Sequence, residues 1–227
     1  MLFRAPQDIL IRFARVEEIE AIQEVLHHPD VIAFLGGITF RDHIRDKIKD
    51  KRPSLWVAEV AGRIVGCHIV GGRSQSHYIK LGSVGVLPEF RRQRIQTSLY
   101  FAALAQGILE GRRLLEDTIV GDNSVQFKAL PTMGFSLAGI LKDKTASGKS
   151  IGLFQFSLID PTSFETFSRR LPINVEIRLR EDDYTKDLWE KNQLVYERHM
   201  KEFIPRMSKY RTFVRALCSV EWLGVSK

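Results

Sequence analysis

The sequence predicts a mixed α/β domain followed by a smaller α+β extension. Strand-like and helix-like apolar periodicities alternate through residues 9–160. Tight-turn signals join several of the strands, and 227 residues suffice for one domain plus an addition. Apolar residues make up 44% of the chain and charged residues 27%, which excludes disordered, collagen-like and low-complexity classes. No apolar run approaches the ~18–20 residues that span a bilayer, so no membrane partner is expected. The N-terminal MLFRAPQDIL lacks the charged-then-apolar pattern of a secretory signal. With only Cys67 and Cys218, a disulfide framework is not expected, and a reduced, cytoplasmic protein is.

In chain order, ILIRFAR (9–15) alternates and suits a first strand. VEEIEAIQEVLHH follows, with Val16, Ile19, Ile22, Val25 and Leu26 at helical spacing, until His28-Pro29-Asp30 breaks it. After the Gly36-Gly37 pair, residues 39–50 read as a charged helix capped by Thr39. SLWVAEV and RIVGCHIVGG flank Ala61-Gly62, a hairpin signal, which puts Cys67 in a core strand. A strand runs from Ile79 to Leu87 and stops at Pro88, and a helix covers Gln93 to Glu110. A strand at 113–120, a short helix from Asp122 to Gly134, and two strands across the turn of FSLAGILKD and SIGLFQFSLI complete the domain. The order is β-α-α-β-β-β-α-β-α-β-β over residues 1–160. The extension, 161–227, starts at the Asp160-Pro161 turn signal and carries a strand at 173–180 and a helix at 183–203. One side of that helix is apolar, which makes packing on the core, a partner surface or a homodimer contact its candidate roles.

The net charge of +7 favours an anionic ligand, but it is spread along the chain. The densest basic cluster, Arg91, Arg92 and Arg94, lies in the segment Val84-Gly-Val-Leu-Pro-Glu-Phe-Arg-Arg-Gln-Arg-Ile-Gln-Thr-Ser-Leu99. A strand ends at a proline, arginines follow, and a helix begins at once. That order aims free helix N–H groups and the positive end of the helix dipole at one point, a phosphate cradle. Read alone, the segment is as well explained as a basic surface turn.

With the element order, this segment resembles the pyrophosphate-binding motif of the GNAT superfamily of acyl-CoA-dependent N-acyltransferases, Arg/Gln-x-x-Gly-x-Gly/Ala. Arg91 matches the first position, Ile95 the apolar spacer and Leu99 the apolar contact within the helix. Asp122-Asn123, Phe127 and Met133-Gly134-Phe135 resemble a second family block, and Arg12-Phe-Ala-Arg with the following helix resembles the family's opening. The likeness covers residues 9–160 and implies a mixed, mostly antiparallel sheet flanked by helices. It also implies acetyl-CoA or another acyl-CoA as cofactor, bound by Val84, Val86, Arg91, Arg92, Gln93, Arg94, Ile95, Gln96, Thr97 and Asn123. The pantetheine arm would lie between the strands ending near Val86 and Val120, with the Gly85 carbonyl region facing the thioester.

The motif is degenerate. Arg94 and Gln96 fill both glycine positions, where glycine lets the backbone approach pyrophosphate closely. Leu130 stands where the family often has a Tyr general acid, and Lys80 where many members have a Glu general base. Replacement candidates are His77 as a base, Asp117 in the apolar phase of LLEDTIV, its neighbour Glu116, and Tyr78 as an acid. The blander readings are a solvated His77, a packing Tyr78, and an Asp117 paired with an arginine such as Arg73 or Arg113. No His, Cys or carboxylate spacing suggests a metal site. Three functions stay open. The first is acyl transfer from acyl-CoA to a small-molecule or protein amine. The second is modification of nucleic acid on the same fold, Mom-like or tRNA-directed. The third is non-catalytic partner binding through 161–227.

Overall fold

The computed structural model describes residues 8–33, 35, 41–50, 54–71, 77–145, 148–158, 160–170 and 175–178. The chain begins with β1 (Ile9–Phe13), a 3-10 turn at Val16–Glu18 and α1 (Ile19–His27). Helix α1 buries Ile19, Ile22, Val25 and Leu26, the three- and four-residue steps of a single face. Pro29 ends α1 but also opens a short helix α2 (Pro29–Ile32), because the His28 ring accepts the Asp30 N–H and Pro29 fills the first helical position. The sequence predicts only the break. The charged helix α3 spans Arg41–Lys49 and buries Ile44 alone; its expected Thr39 cap lies outside the described residues.

Strands β2 (Leu55–Val60) and β3 (Arg63–Gly71) form the expected hairpin. Ala61 and Gly62 both have positive φ (50° and 79°), which matches the right-handed twist of the paired strands. Then come β4 (Tyr78–Val86), a 3-10 turn at Pro88–Phe90, α4 (Ile95–Leu109), β5 (Leu114–Val120) and α5 (Ser124–Thr132). The hairpin β6 (Ser136–Leu141) and β7 (Ile151–Ser157) follows, then α6 (Pro161–Ser168) and β8 (Val175–Arg178). Among the described residues, the eight strands make one sheet in the order β6-β7-β5-β4-β3-β2-β1-β8. Only β4–β5 and β1–β8 pair in parallel, so the sheet is mixed and mostly antiparallel.

Two cores flank it. On one side α1 and α3 cover Leu55, Val57, Ile64, Cys67 and Ile69. On the other, α4 covers Trp56, Val65, Val70, Ile79 and Leu115. Helix α4 is buried nearly all round, from Ile95 through Gln106, so the sheet cannot be its only cover. Phe167 of α6 supplies part of the rest: it stacks on Phe101 at 6.0 Å and meets Phe156 edge-on at 5.8 Å.

Asp160-Pro161, read as a turn, is a helix start. The Asp160 carboxylate accepts the Thr162 and Ser163 N–H groups, and Pro161 takes the first helical position. Strand β8 then runs beside β1, Ile9 opposite Val175, so 175–178 join the same sheet, and Phe167, Val175 and Ile177 join the same core. The expected helix at 183–203 lies outside the described residues. Gly134 shows why the Gly-Phe pair is needed. Its φ is +88°, and an added Cβ would lie 2.7 Å from the Ser163 carbonyl oxygen where α6 crosses.

Candidate functional site: a cleft where two parallel strands separate

Strands β4 and β5 pair only over Tyr78–Lys80 and Leu114–Glu116. Beyond that β5 stays with β7 along its whole length, while β4 stays with β3 as far as Val86. The two parallel strands therefore diverge and open a cleft of about 470 Å³. Helix α4 points its N-terminus at the opening. Its first backbone bond is the Ser98 N–H to the Arg94 carbonyl, so the N–H groups of residues 95–97 precede the ladder.

Val84 and Val86 of β4 form one wall of the cleft, and Arg91, Arg92, Arg94 and Ile95 surround the start of α4. Gln96, Thr97 and Asn123 complete the predicted binding residues that line it. Gln93 is half-buried in the turn before α4 and is not part of the lining. Asn123 has a local task as well: its side-chain oxygen accepts the Gln126 N–H at 3.1 Å and caps α5. Arg91 ties the walls together by donating to the Val86 carbonyl at 3.3 Å and the Asp30 carbonyl at 3.1 Å. Its guanidinium also lies 3.9 Å from the Asp30 carboxylate.

The filled glycine positions behave differently from each other. Arg94 keeps the left-handed backbone that glycine adopts freely, with φ 61°, as does Arg92 at 64°. The Arg94 guanidinium turns away along the surface and donates to the Arg170 carbonyl at 3.2 Å. Gln96 instead turns inward and donates from Nε2 to Oε1 of Gln126 at 2.8 Å.

That bond begins a buried polar chain. Gln126 donates from Nε2 to the Tyr100 hydroxyl at 2.7 Å, and Tyr100 donates to Asp117 at 2.7 Å. The Thr118 N–H reaches the other Asp117 oxygen at 2.8 Å. Asp117 is 3% exposed, and burial pushes its carboxyl up from 3.8 to about 6, opposed by the Tyr100 and Thr118 hydrogen bonds and by Lys80. Burial and the neighbouring Asp117 raise the Tyr100 phenol well above its ordinary range, so it stays a proton donor. The ion pair with an arginine expected for Asp117 is therefore replaced by a neutral phenol and a backbone amide. Beside Tyr100, edge-on at 5.0 Å, lies His68. Its Nδ1 is 3.4 Å from the Leu99 carbonyl and its Nε2 has no partner; burial lowers its pKa to about 4, so the ring is neutral.

The predicted catalytic candidates are not brought together. His77 and Tyr78 sit at the paired end of β4, about 20 Å of extended strand from Val84 at roughly 3.3 Å per residue. Asp117 is behind the cleft wall rather than on it. Glu116 is half-buried, in register with Lys80. Leu130 is fully buried in the core. The sequence reading missed four residues: Asp30, the one carboxylate among the described residues lining the cleft, and His68, Tyr100 and Gln126. Asp30 is masked by its place in a helix-breaking turn. Tyr100 and Gln126 read as ordinary helix residues until α4 and α5 are packed.

A profile of the acetyltransferase (GNAT) family matches residues 17–127. No curated protein matches the chain. Among solved structures, Ard1 from Thermoplasma volcanium is similar at 18% identity and a TM-score of 0.59, covering 67% of this chain and 99% of its own. An N-acetyltransferase from Staphylococcus aureus Mu50 is similar at 19% identity and 0.58, covering 66% and 99%. The yncA protein from Salmonella typhimurium, solved with its cofactor acetyl-CoA, aligns at 17% identity and 0.59, covering 67% and 95%. These likenesses establish the fold. The profile match, which runs from the turn before α1 into α5, identifies residues 17–127 as an acetyltransferase domain of the GNAT family.

Proposed function

We propose that the protein transfers an acyl group, acetyl in the first instance, from acyl-CoA directly to an amine acceptor, a small molecule or a protein. The observation that carries this reading is the arginine-rimmed cleft at the parting of β4 and β5, faced by the N-terminus of α4. The residues present fit the donor. Arg91, Arg92 and the first N–H groups of α4 would hold a pyrophosphate, and the edge of β4 at Val84 and Val86 would hold the pantetheine arm. When bound, acyl-CoA supplies an acyl group already activated as a thioester.

The chain's own contribution is chiefly positioning, which can supply most of the rate when two reactants are held in line. The acceptor amine must be neutral to attack. Asp30, at the cleft wall on α2, is placed to draw in a cationic amine and to take its proton. Arg91 fixes that wall through its bonds to Asp30 and Val86.

Calorimetry with acetyl-CoA, followed by thiol release against a panel of amines, tests the reading. Arg91→Ala should weaken acetyl-CoA binding by about 1.5–3 kcal/mol with folding intact. Absence of binding by the wild-type protein, or unchanged affinity in the variant, counts against this cleft as the donor site.

A further inference from the structure

A carboxylate at one end of a hydrogen-bonded chain dictates the direction of every bond in it. Ionised Asp117 can only accept, so the Tyr100 hydroxyl donates to it. The phenol oxygen then accepts the Gln126 Nε2. Gln126 is thereby oriented with Nε2 toward Tyr100 and Oε1 toward Gln96, and it receives the Gln96 Nε2. The Gln96 amide nitrogen is spent inward. Its carbonyl oxygen receives no donor among the described residues, and Gln96 lines the cleft.

We propose that Asp117, Tyr100 and Gln126 are positioning residues that hold the Gln96 carboxamide with its oxygen free, as an acceptor subsite for an N–H group of the ligand in the cleft. The inference rests on the acyltransferase reading. Two sources offer that chemistry, an amide N–H of the pantetheine arm and the amine of the acceptor. The same chain explains why Gln96 stands where the family motif has a small residue: its side chain is drawn down into the wall and leaves the pyrophosphate approach clear.

Protonation of Asp117 reverses the direction. A carboxylic acid can donate to the phenol oxygen, the phenol then donates to Gln126, and the Gln126 amide turns over. The Gln96 oxygen is now occupied by the Gln126 Nε2. Asn at 117 imitates this form, with Oδ1 on the Thr118 N–H and Nδ2 on Tyr100. The titratable groups around Asp117 are Tyr100 from α4, Lys80 from β4, and His68 from β3 across the Tyr100 ring. On β7 it faces Phe154, and α5 contributes only the neutral Gln126. With Tyr100 and His68 fixed in their protonation near neutral pH, Asp117 is the group that sets the direction.

The test uses the full chain with 3′-dephospho-coenzyme A, which lacks the phosphate that titrates near neutral pH, and with an amine that the wild type acylates. Gln96→Met keeps length and helix propensity but removes the acceptor. The expected result is a roughly tenfold loss in one of two places. A rise in Kd for dephospho-coenzyme A identifies the pantetheine amide. An unchanged Kd with a raised KM for the amine identifies the acceptor. Asp117→Asn should give the same loss at pH 8, and the difference between wild type and variant, in which the ionisation of the amine itself cancels, should close below about pH 6, where the wild type weakens.

A ligand-free readout separates this inference from the reading beneath it. The Gln96 side-chain amide resonances, assigned by their absence in Gln96→Met, should shift with pH in the wild type and stay fixed in Asp117→Asn. Wild-type protein that binds no coenzyme A derivative overturns both the function and the subsite. Normal binding and KM in Gln96→Met, or Gln96 resonances indifferent to pH in the wild type, overturn the subsite alone.

Discussion

On the side of the sheet covered by α1 and α3, the buried side chains are Ile19, Ile22, Val25, Leu26, Ile44 and their strand partners. The polar groups there are matched outright: Arg12 bridges Glu18 and Glu59, and Ser54 donates to the Lys47 carbonyl. On the side covered by α4, the same depth holds His68, Tyr100, Asp117 and Gln126. There burial works against the charge of Asp117, and one ring nitrogen of His68 has no partner. The face under α4 buries the larger apolar cluster of the two, so it does not carry these groups for want of alternatives. It carries them next to the cleft, where the proposed subsite gives a costly arrangement a use.

The largest effect belongs to the dry side. Ile22 is fully buried, and Ile22→Ala should cost about 3–4 kcal/mol in denaturant melts through lost burial and the cavity left behind. The loss should be the same at pH 5 and pH 8, because no group there has a native proton affinity that the truncation disturbs. A loss that varied with pH would break the contrast between the faces. On the polar side, Tyr100→Phe should cost about 2–3 kcal/mol at pH 8, since it strips a donor from a buried carboxylate and an acceptor from Gln126. At pH 5 the cost should shrink, because Asp117 is then mainly protonated.

Asp117→Asn sharpens the comparison further. The native carboxyl titrates at about 6, above its ordinary 3.8, so between those values the folded state holds a proton that the unfolded state has released. Stability therefore falls as pH rises through that window and levels off above it, by a total on the order of 2–3 kcal/mol. The Asn variant should lose this slope and be about 1–2 kcal/mol more stable than wild type at pH 8. Melts at pH 4, 6 and 8 check it. A variant less stable at pH 8 would make Asp117 a structural group and erase the difference between the faces.

Much of the fold is legible in the sequence because periodicity and turn chemistry act locally. The Ala61-Gly62 hairpin, the apolar face of α1 and the Arg91–Arg94 turn before α4 each follow from a few neighbouring residues. Helix α2 and α6 were missed because Pro29 and Pro161 read as breakers, although each sits where a helix can begin. The interior of the site was illegible for a different reason. Tyr100, Asp117 and Gln126 lie on three elements, and nothing local distinguishes a helix tyrosine that reaches a strand carboxylate from one that packs. The reading of Asp117 as costly unless partnered was sound physics. Its partner is a neutral phenol above the strand and not an arginine.

The smallest effect concerns the turn that leads into the cleft, where cost is stored in backbone rather than in buried charge. Arg94 holds φ 61°, a conformation that costs an L-residue about 1–2 kcal/mol, while glycine adopts it freely. Glycine gives back roughly 0.5–1 kcal/mol through its looser unfolded chain. Arg94→Gly should thus be more stable than Arg94→Ala by about 0.5–1 kcal/mol, a comparison in which both variants lack the guanidinium. The contact to the Arg170 carbonyl is exposed, so Arg94→Ala should lie within about 0.5 kcal/mol of wild type. Thermal melts of the three proteins decide it. Equal stability of the Gly and Ala variants would mean that the turn relaxes out of the left-handed region once the arginine is gone. The strain would then be imposed by the Arg94 side chain and its hold on Arg170, and not by the path the backbone must take from β4 into α4.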